Sequence, residues 1–341
     1  MPIHPSRVPN FDDLPRVKGM SQGCAWGIFD QAGQKDKLGT LNYLTPEIVK
    51  AAAEDVHLGV SVSLKYLSLA VLPLLDQPPE HKIIKLADVM PMLGDRPQSW
   101  DDEVTFNTQL SSQWDSLCHV QDTKTGMAYN GVTPFVESFA KTSTADNDMP
   151  TLDHWHAAGC MTARGILIDF MAYAQDKGLP YHPFQGFRIT KEDLEACAIH
   201  QGVEFKPGDV MVVRTGMTEA FDAISAGEPP PSSMHTISGL DGCDDMARWI
   251  WNKRFAAVAS DNYALEALPG LDRQGNPGGL DCLHLHQYLL SSFGMPIGEL
   301  WDLARLSQIC RKTGKYSFML TSAPLNLPCL IGSPANAIAI L

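Results

Sequence analysis

Along this chain, short apolar runs alternate with stretches whose apolar residues recur every three or four positions, and Gly, Pro and Asp punctuate the joins. Thr45-Pro46-Glu47 has the form of a helix start, with Thr as cap and Pro in the first position, and predicts a helix through Ala53. Val60 to Leu67 alternates and is β-branched, which predicts a strand. The apolar runs Gly165 to Phe170, Val210 to Arg214, Ala256 to Ser260 and Ser317 to Leu320 predict buried strands. Helical spacing predicts helices from Thr190, over Asp244 to Asn252, over Leu283 to Leu290 and over Glu299 to Lys312, with a short one between Leu152 and Cys160. Leu72 to Pro97 is Pro-rich and reads as a loop or lid, Tyr129-Asn130-Gly131 as a turn, and Pro229 to Pro231 as a flexible or polyproline insert. Phe11 to Leu41 is broken by glycines and reads as irregular structure laid over a core. Short helices alternating with short strands predict one α/β domain over residues 1–341, with a mixed β-sheet, flanking helices and an irregular N-terminal wrap over about 1–45.

One polar stretch stands apart, Thr105 to His119. Gln109, Gln113, Asp115 and His119 all fall at odd positions, so an extended backbone puts them on one face while Leu110 and Trp114 point the other way. A straight strand would separate Gln109 from His119 by roughly 33 Å. A shared site therefore requires bends, expected at Ser111-Ser112 and after Asp115.

Composition narrows the class. The chain has 341 residues, 44% of them hydrophobic and 19% charged, as in an ordinary globular enzyme. The longest apolar candidate, Ser68 to Leu75, is far too short to span a membrane. Prolines in the first ten residues do not suit a signal peptide, and a cytoplasmic location is expected. A formal charge of −13 argues against nucleic acid as a partner but by itself points to no substrate. The eight cysteines are scattered without a CxxC pair, which predicts buried thiols.

Several residues could carry chemistry. Asp115 and His119 could bind a divalent ion or pair as an oriented base, or could be structural. His284, His286 and Glu299 form a second group, with Glu299 placed at the start of a helix, and they too could be hydrogen-bonding residues of the interior. His154 and His156 read as surface or packing residues. Asp261 either catalyses or caps the next turn. Cys118 adjoins His119, but its parity puts it on the opposite face. Trp114, Trp26 and the segment between Leu72 and Pro97 are candidates for a substrate wall. No GxSxG, P-loop or GxGxxG pattern is present.

The text Gln109-Leu-Ser111-Ser112-Gln113-Trp-Asp115-Ser-Leu117-Cys-His119 resembles the HxGTHxDxPxH signature of the cyclase/kynurenine formamidase-like metal-dependent hydrolases, which include isatin hydrolases and trans-dienelactone hydrolases. Further similarity runs through Met161 to Asp169, Lys206 to Gly216, Ala259 to Asn262, Ile297 to Glu299 and Ser333 to Ala337. Both histidines of HxxxHxD are glutamine here, and the family proline is Leu117. The resemblance implies a swivelling β/β/α fold and a hydrolase acting on a small-molecule substrate, opening a lactone or a cyclic or aryl amide. It implies Asp115 as a metal ligand, His119 as general acid or base, and His286 (or His284) and Glu299 as the remaining ligands. Gln109 and Gln113 would offer amide oxygens to the ion, and an oxygen-rich set favours Mn²⁺ or Mg²⁺ over Zn²⁺. It also implies a homodimer or homotetramer. The alternatives are a metal-poor cyclase or dehydratase and a catalytically inactive binding paralogue.

Overall fold

A computed structural model describes residues 3–67, 79–90, 92, 99–272 and 274–341. Its centre is a nine-stranded sheet. In chain order the strands are β1 (Ser61–Ser63), β2 (Gln113–Asp115), β3 (Met161–Asp169), β4 (Val210–Arg214), β5 (Ala257–Ser260), β6 (Ile297–Glu299), β7 (Ser317–Ser322), β8 (Gly332–Pro334) and β9 (Ile338–Ile340). Their spatial order is β1-β9-β7-β3-β4-β5-β6-β2-β8. β3, β4, β5 and β6 run parallel, and antiparallel strands extend the sheet on both sides. Among the described residues no helix is long and apolar enough to cross a membrane.

The parallel strands read as unbroken apolar runs because both of their faces are covered. Ile166, Ile168, Met211, Val213 and Val258 pack into one cluster with Phe170, Trp251 and Phe293. Their neighbours Leu167, Val210, Val212, Ala257 and Ala259 join the opposite cluster with Trp114, Trp301 and Phe318. The covering helices are α1 (Pro46–Ala52), α2 (Phe170–Lys177), α3 (Lys191–Gln201), α4 (Met217–Ser225), α5 (Asp244–Lys253) and α6 (Ala304–Thr313). Thr45 caps α1 and Thr190 forms a capping box on α3, as their sequences predict. Between residues 3 and 45 the chain makes only short 3-10 turns and one isolated bridge.

Four expectations need correction. Glu299 ends strand β6 and does not open a helix; α6 begins at Ala304. The periodicity of Leu300, Leu303, Leu306 and Ile309 extends past the true start because Leu300 and Leu303 are buried by the turn that leaves β6. Leu283 to Leu290 is not one regular helix, since a single turn at His284–His286 passes into a π-helical Gln287–Phe293. Part of the Pro-rich segment is strand: Glu80–Lys85 pairs antiparallel with Trp100–Thr105 just beyond it, because the prolines fall outside both strands. The rest of that segment, 72–78, 91 and 93–97, lies outside the described residues. Trp114 is fully buried, donates to Ser322 Oγ at 2.8 Å and meets Trp155 and Trp301 edge-on, so it belongs to the core and walls no substrate pocket.

Candidate metal centre

The polar stretch bends as its chemistry requires. A turn closes at Leu110, whose N–H donates to the Asn107 carbonyl, and three extended residues follow as β2. A second turn closes at His119, donating to the Ser116 carbonyl at 3.0 Å. Within β2, Trp114 faces the core, which leaves Gln113 and Asp115 on the other face. The antiparallel register sets Gln113 opposite Glu299 and Asp115 opposite Ile297, so two carboxylates from residues far apart in sequence share one patch of the sheet. The helical turn at 284–286 then brings His286 over them.

The contacts form a closed network. Gln109 Nε2 donates to Asp115 Oδ1 at 2.9 Å. Gln113 Nε2 donates to Gln109 Oε1 at 2.6 Å and to Glu299 Oε2 at 3.0 Å. His286 Nε2 lies 3.2 Å from Glu299 Oε1, and its Nδ1 lies 2.8 Å from Glu266 Oε1. Asp115 is fully buried, while the His119 side chain keeps 29% of its surface exposed with Nε2 3.8 Å from Asp115 Oδ1. Solvent therefore reaches His119, and part of Gln109, but not the two carboxylates or His286. One donor atom each from Asp115, His286 and Glu299 lies within 4.8 Å of the other two, the spacing of ligands around a single ion.

Charge in this buried patch is strongly perturbed. Burial pushes Glu299 up to about 7, with Asp115 adding to the rise and His286 opposing it. For His286 burial works the other way, but hydrogen bonds to Glu266 and Glu299 outweigh it and push the imidazole up to about 10. Asp115 Oδ2 and Gln113 Oε1 are buried with no hydrogen-bond partner. Two orphaned acceptors beside a trio of ligating side chains are what a bound cation satisfies, so the residues fit a divalent ion. The glutamine amides only partly match the expected arrangement: Gln113 Oε1 is free to ligate, whereas Gln109 Oε1 already accepts from Gln113.

The other sequence candidates lie elsewhere or serve structure. His284 Nε2 is 2.8 Å from the Leu271 carbonyl and lines a separate cavity, so His286 alone of the two histidines joins the trio. Asp261 does not cap the turn that follows it. It accepts from the N–H groups of Thr215, Gly216 and Met217 and so caps α4 from a neighbouring strand. Cys118 is buried and its thiol is pushed up to about 12, which suits no nucleophile. All eight cysteines are free thiols and most are buried, as expected. His156 packs against the Pro324 carbonyl and His154 against that of Met149. Glu266 is the residue the sequence reading missed. A lone acid inside the apolar run Ala264 to Leu268 was the available signal, since a buried carboxylate requires a partner.

A mixed sheet covered on both faces, with a buried carboxylate and imidazole cluster at the end of its parallel strands, defines an α/β protein with a candidate cation centre. The chain belongs to the Cyclase family, whose model matches residues 43–267. A solved structure described as a novel cyclase is 31% identical, covering 93% of this chain and 99% of its own, with a TM-score of 0.72. The fold is also shared with isatin hydrolase A from Ralstonia solanacearum, 15% identical over 87% of this chain and 98% of that one, TM-score 0.53. An isatin hydrolase bound to the product analogue thioisatinate is likewise 15% identical over 86% and 95%, TM-score 0.51. No curated protein matches the chain.

Proposed function

We propose that this chain is a metal-dependent hydrolase that opens a lactone or a cyclic or aryl amide of a small ring-containing substrate. The observation that carries the reading is the buried trio Asp115, His286 and Glu299, with His119 at its exposed edge. Those three side chains, with Gln113 Oε1 as a fourth donor, would hold the ion, and their oxygen-rich character favours Mn²⁺ or Mg²⁺, with Zn²⁺ also accommodated. Once bound, a divalent ion polarises a carbonyl and makes water more acidic. His119 accepts a proton as water attacks and returns one to the leaving oxygen or nitrogen. Gln109 and Gln113 orient the two carboxylates through their amide N–H groups, and the buried floor excludes bulk water from Asp115 and Glu299. The test is metal analysis of protein purified without chelator, beside a screen of lactones and amides with and without Mn²⁺. Bound metal and Mn²⁺-stimulated turnover in the wild type, both lost in Asp115→Asn, is the expected result; metal and turnover unchanged in that variant would refute the proposal.

A second reading has its own observation. Both glutamine amides donate to the carboxylates, and His286 bridges Glu266 and Glu299, so most of the network is satisfied without an ion. A metal-poor cyclase or dehydratase using His119 alone would show turnover that chelators leave intact. A binding paralogue would show no turnover with any ion.

A further inference from the structure

We propose that Glu266 is a positioning residue of this centre: its carboxylate holds the His286 ring so that Nε2 faces Asp115 and Glu299. The claim rests on the ion-binding reading above for its consequence, but its geometry stands apart from it. Glu266 is 1% exposed and lies outside the trio. Its Oε1 accepts from the His286 backbone N–H at 3.0 Å and faces the His286 Nδ1 at 2.8 Å, while Oε2 accepts from the Leu285 N–H at 3.2 Å. One carboxylate thus fixes the helical turn and the ring it carries. With Nδ1 as donor to Glu266, Nε2 is the nitrogen left to meet the ion.

The surrounding backbone is shaped to hold that carboxylate. Leu240 donates to the Leu265 carbonyl at 3.0 Å and Ala267 donates to the Leu240 carbonyl at 2.9 Å, which pins Glu266 from both sides. A Cβ on Gly239 would stand 2.7 Å from the Glu266 carbonyl carbon, and one on Gly242 would stand 2.3 Å from Glu266 Oε2. Gly242 has no left-handed backbone to explain it. Its missing side chain is the space that the Glu266 carboxylate fills, so Gly242→Ala displaces the carboxylate without changing its chemistry.

A plain helix-turn cap would account for the backbone bonds but not for the bond to Nδ1. The experiment separates the two by measuring Co²⁺ affinity and the visible Co²⁺ spectrum in wild type, Glu266→Ala, Glu266→Gln and Gly242→Ala. Folding of each is checked by circular dichroism, and each is crystallised without ion. Expected are a loss of Co²⁺ affinity of about 10- to 100-fold in Glu266→Ala, an altered spectrum, and partial recovery in Glu266→Gln, which keeps an acceptor oxygen. Gly242→Ala should lose affinity in the same direction, and the ion-free crystals of Glu266→Ala should show the His286 ring turned away from Glu299. Folded variants with wild-type affinity and an unmoved ring would overturn the proposal. If the wild type binds no Co²⁺ while the ring still turns in Glu266→Ala, the ion reading fails and the positioning role stands.

Discussion

His119 keeps 29% of its side chain exposed where Asp115, His286 and Glu299 are buried, and a group that exchanges protons with substrate has to be reachable. Replacing it with Ala should lower kcat by about 10²- to 10⁴-fold while the bound ion stays, as a steady-state assay beside metal analysis would show. Equal loss of ion and activity would instead make His119 a ligand. His286 has a different signature. Its folded-state value near 10, against an ordinary 6.5, means that between these two values the folded chain holds a proton the unfolded chain has released. In chelator, its contribution to stability is therefore complete below about 6.5 and disappears as pH rises through about 10. The melting-temperature advantage of wild type over His286→Gln should shrink from pH 7 to pH 10; a constant or growing advantage would contradict the bridging role. At this scale the sequence was informative where spacing is local. The shared parity of Gln113 and Asp115 was readable, but the Glu266 partnership was not, because 20 residues of largely irregular chain separate it from His286.

Strands β2 and β6 are three residues each, yet their antiparallel register alone brings Gln113 and Asp115 beside Glu299. Elements this short leave little periodicity to read, and the helical spacing after Leu300 misassigned Glu299 to a helix. Leu300 holds a φ of 54°, so the chain turns sharply out of β6 directly after its functional residue. Gly298 keeps that strand close to its neighbours. A Cβ there would sit 2.8 Å from Ala259 Cβ and 2.9 Å from the Trp301 ring. Gly298→Ala should therefore destabilise the fold by about 1–3 kcal/mol through overpacking and weaken ion binding as well, measured by urea unfolding and Co²⁺ titration. No effect on either would mean that β6 tolerates displacement and that its register does not set the site. The longer elements were better marked. Caps at Thr45 and Thr190 and the apolar runs of β4 and β5 marked their positions directly, because both signals are local in sequence, while the run from Gly165 marked only the second half of β3, which begins at Met161.

Across the whole molecule, charged side chains distant from the centre have structural work to do. Arg164 bridges Asp209 and Asp55, Asp169 caps α2 while pairing with Arg214, and Asp261 caps α4. These partly buried pairs and caps tie the parallel strands to the segments that cover them. Alternation of strands and helices made the α/β class legible from sequence, whereas the order of nine strands, set by pairings between distant segments, was not. The centre lies where the parallel strand β6 meets the antiparallel β2, and its function turns on whether that junction holds a cation. Anomalous diffraction from crystals soaked in Mn²⁺ measures this most directly. The expected result is a single strong peak bounded by Asp115, His286 and Glu299 and absent in Asp115→Asn crystals; no peak there at saturating Mn²⁺ would contradict it.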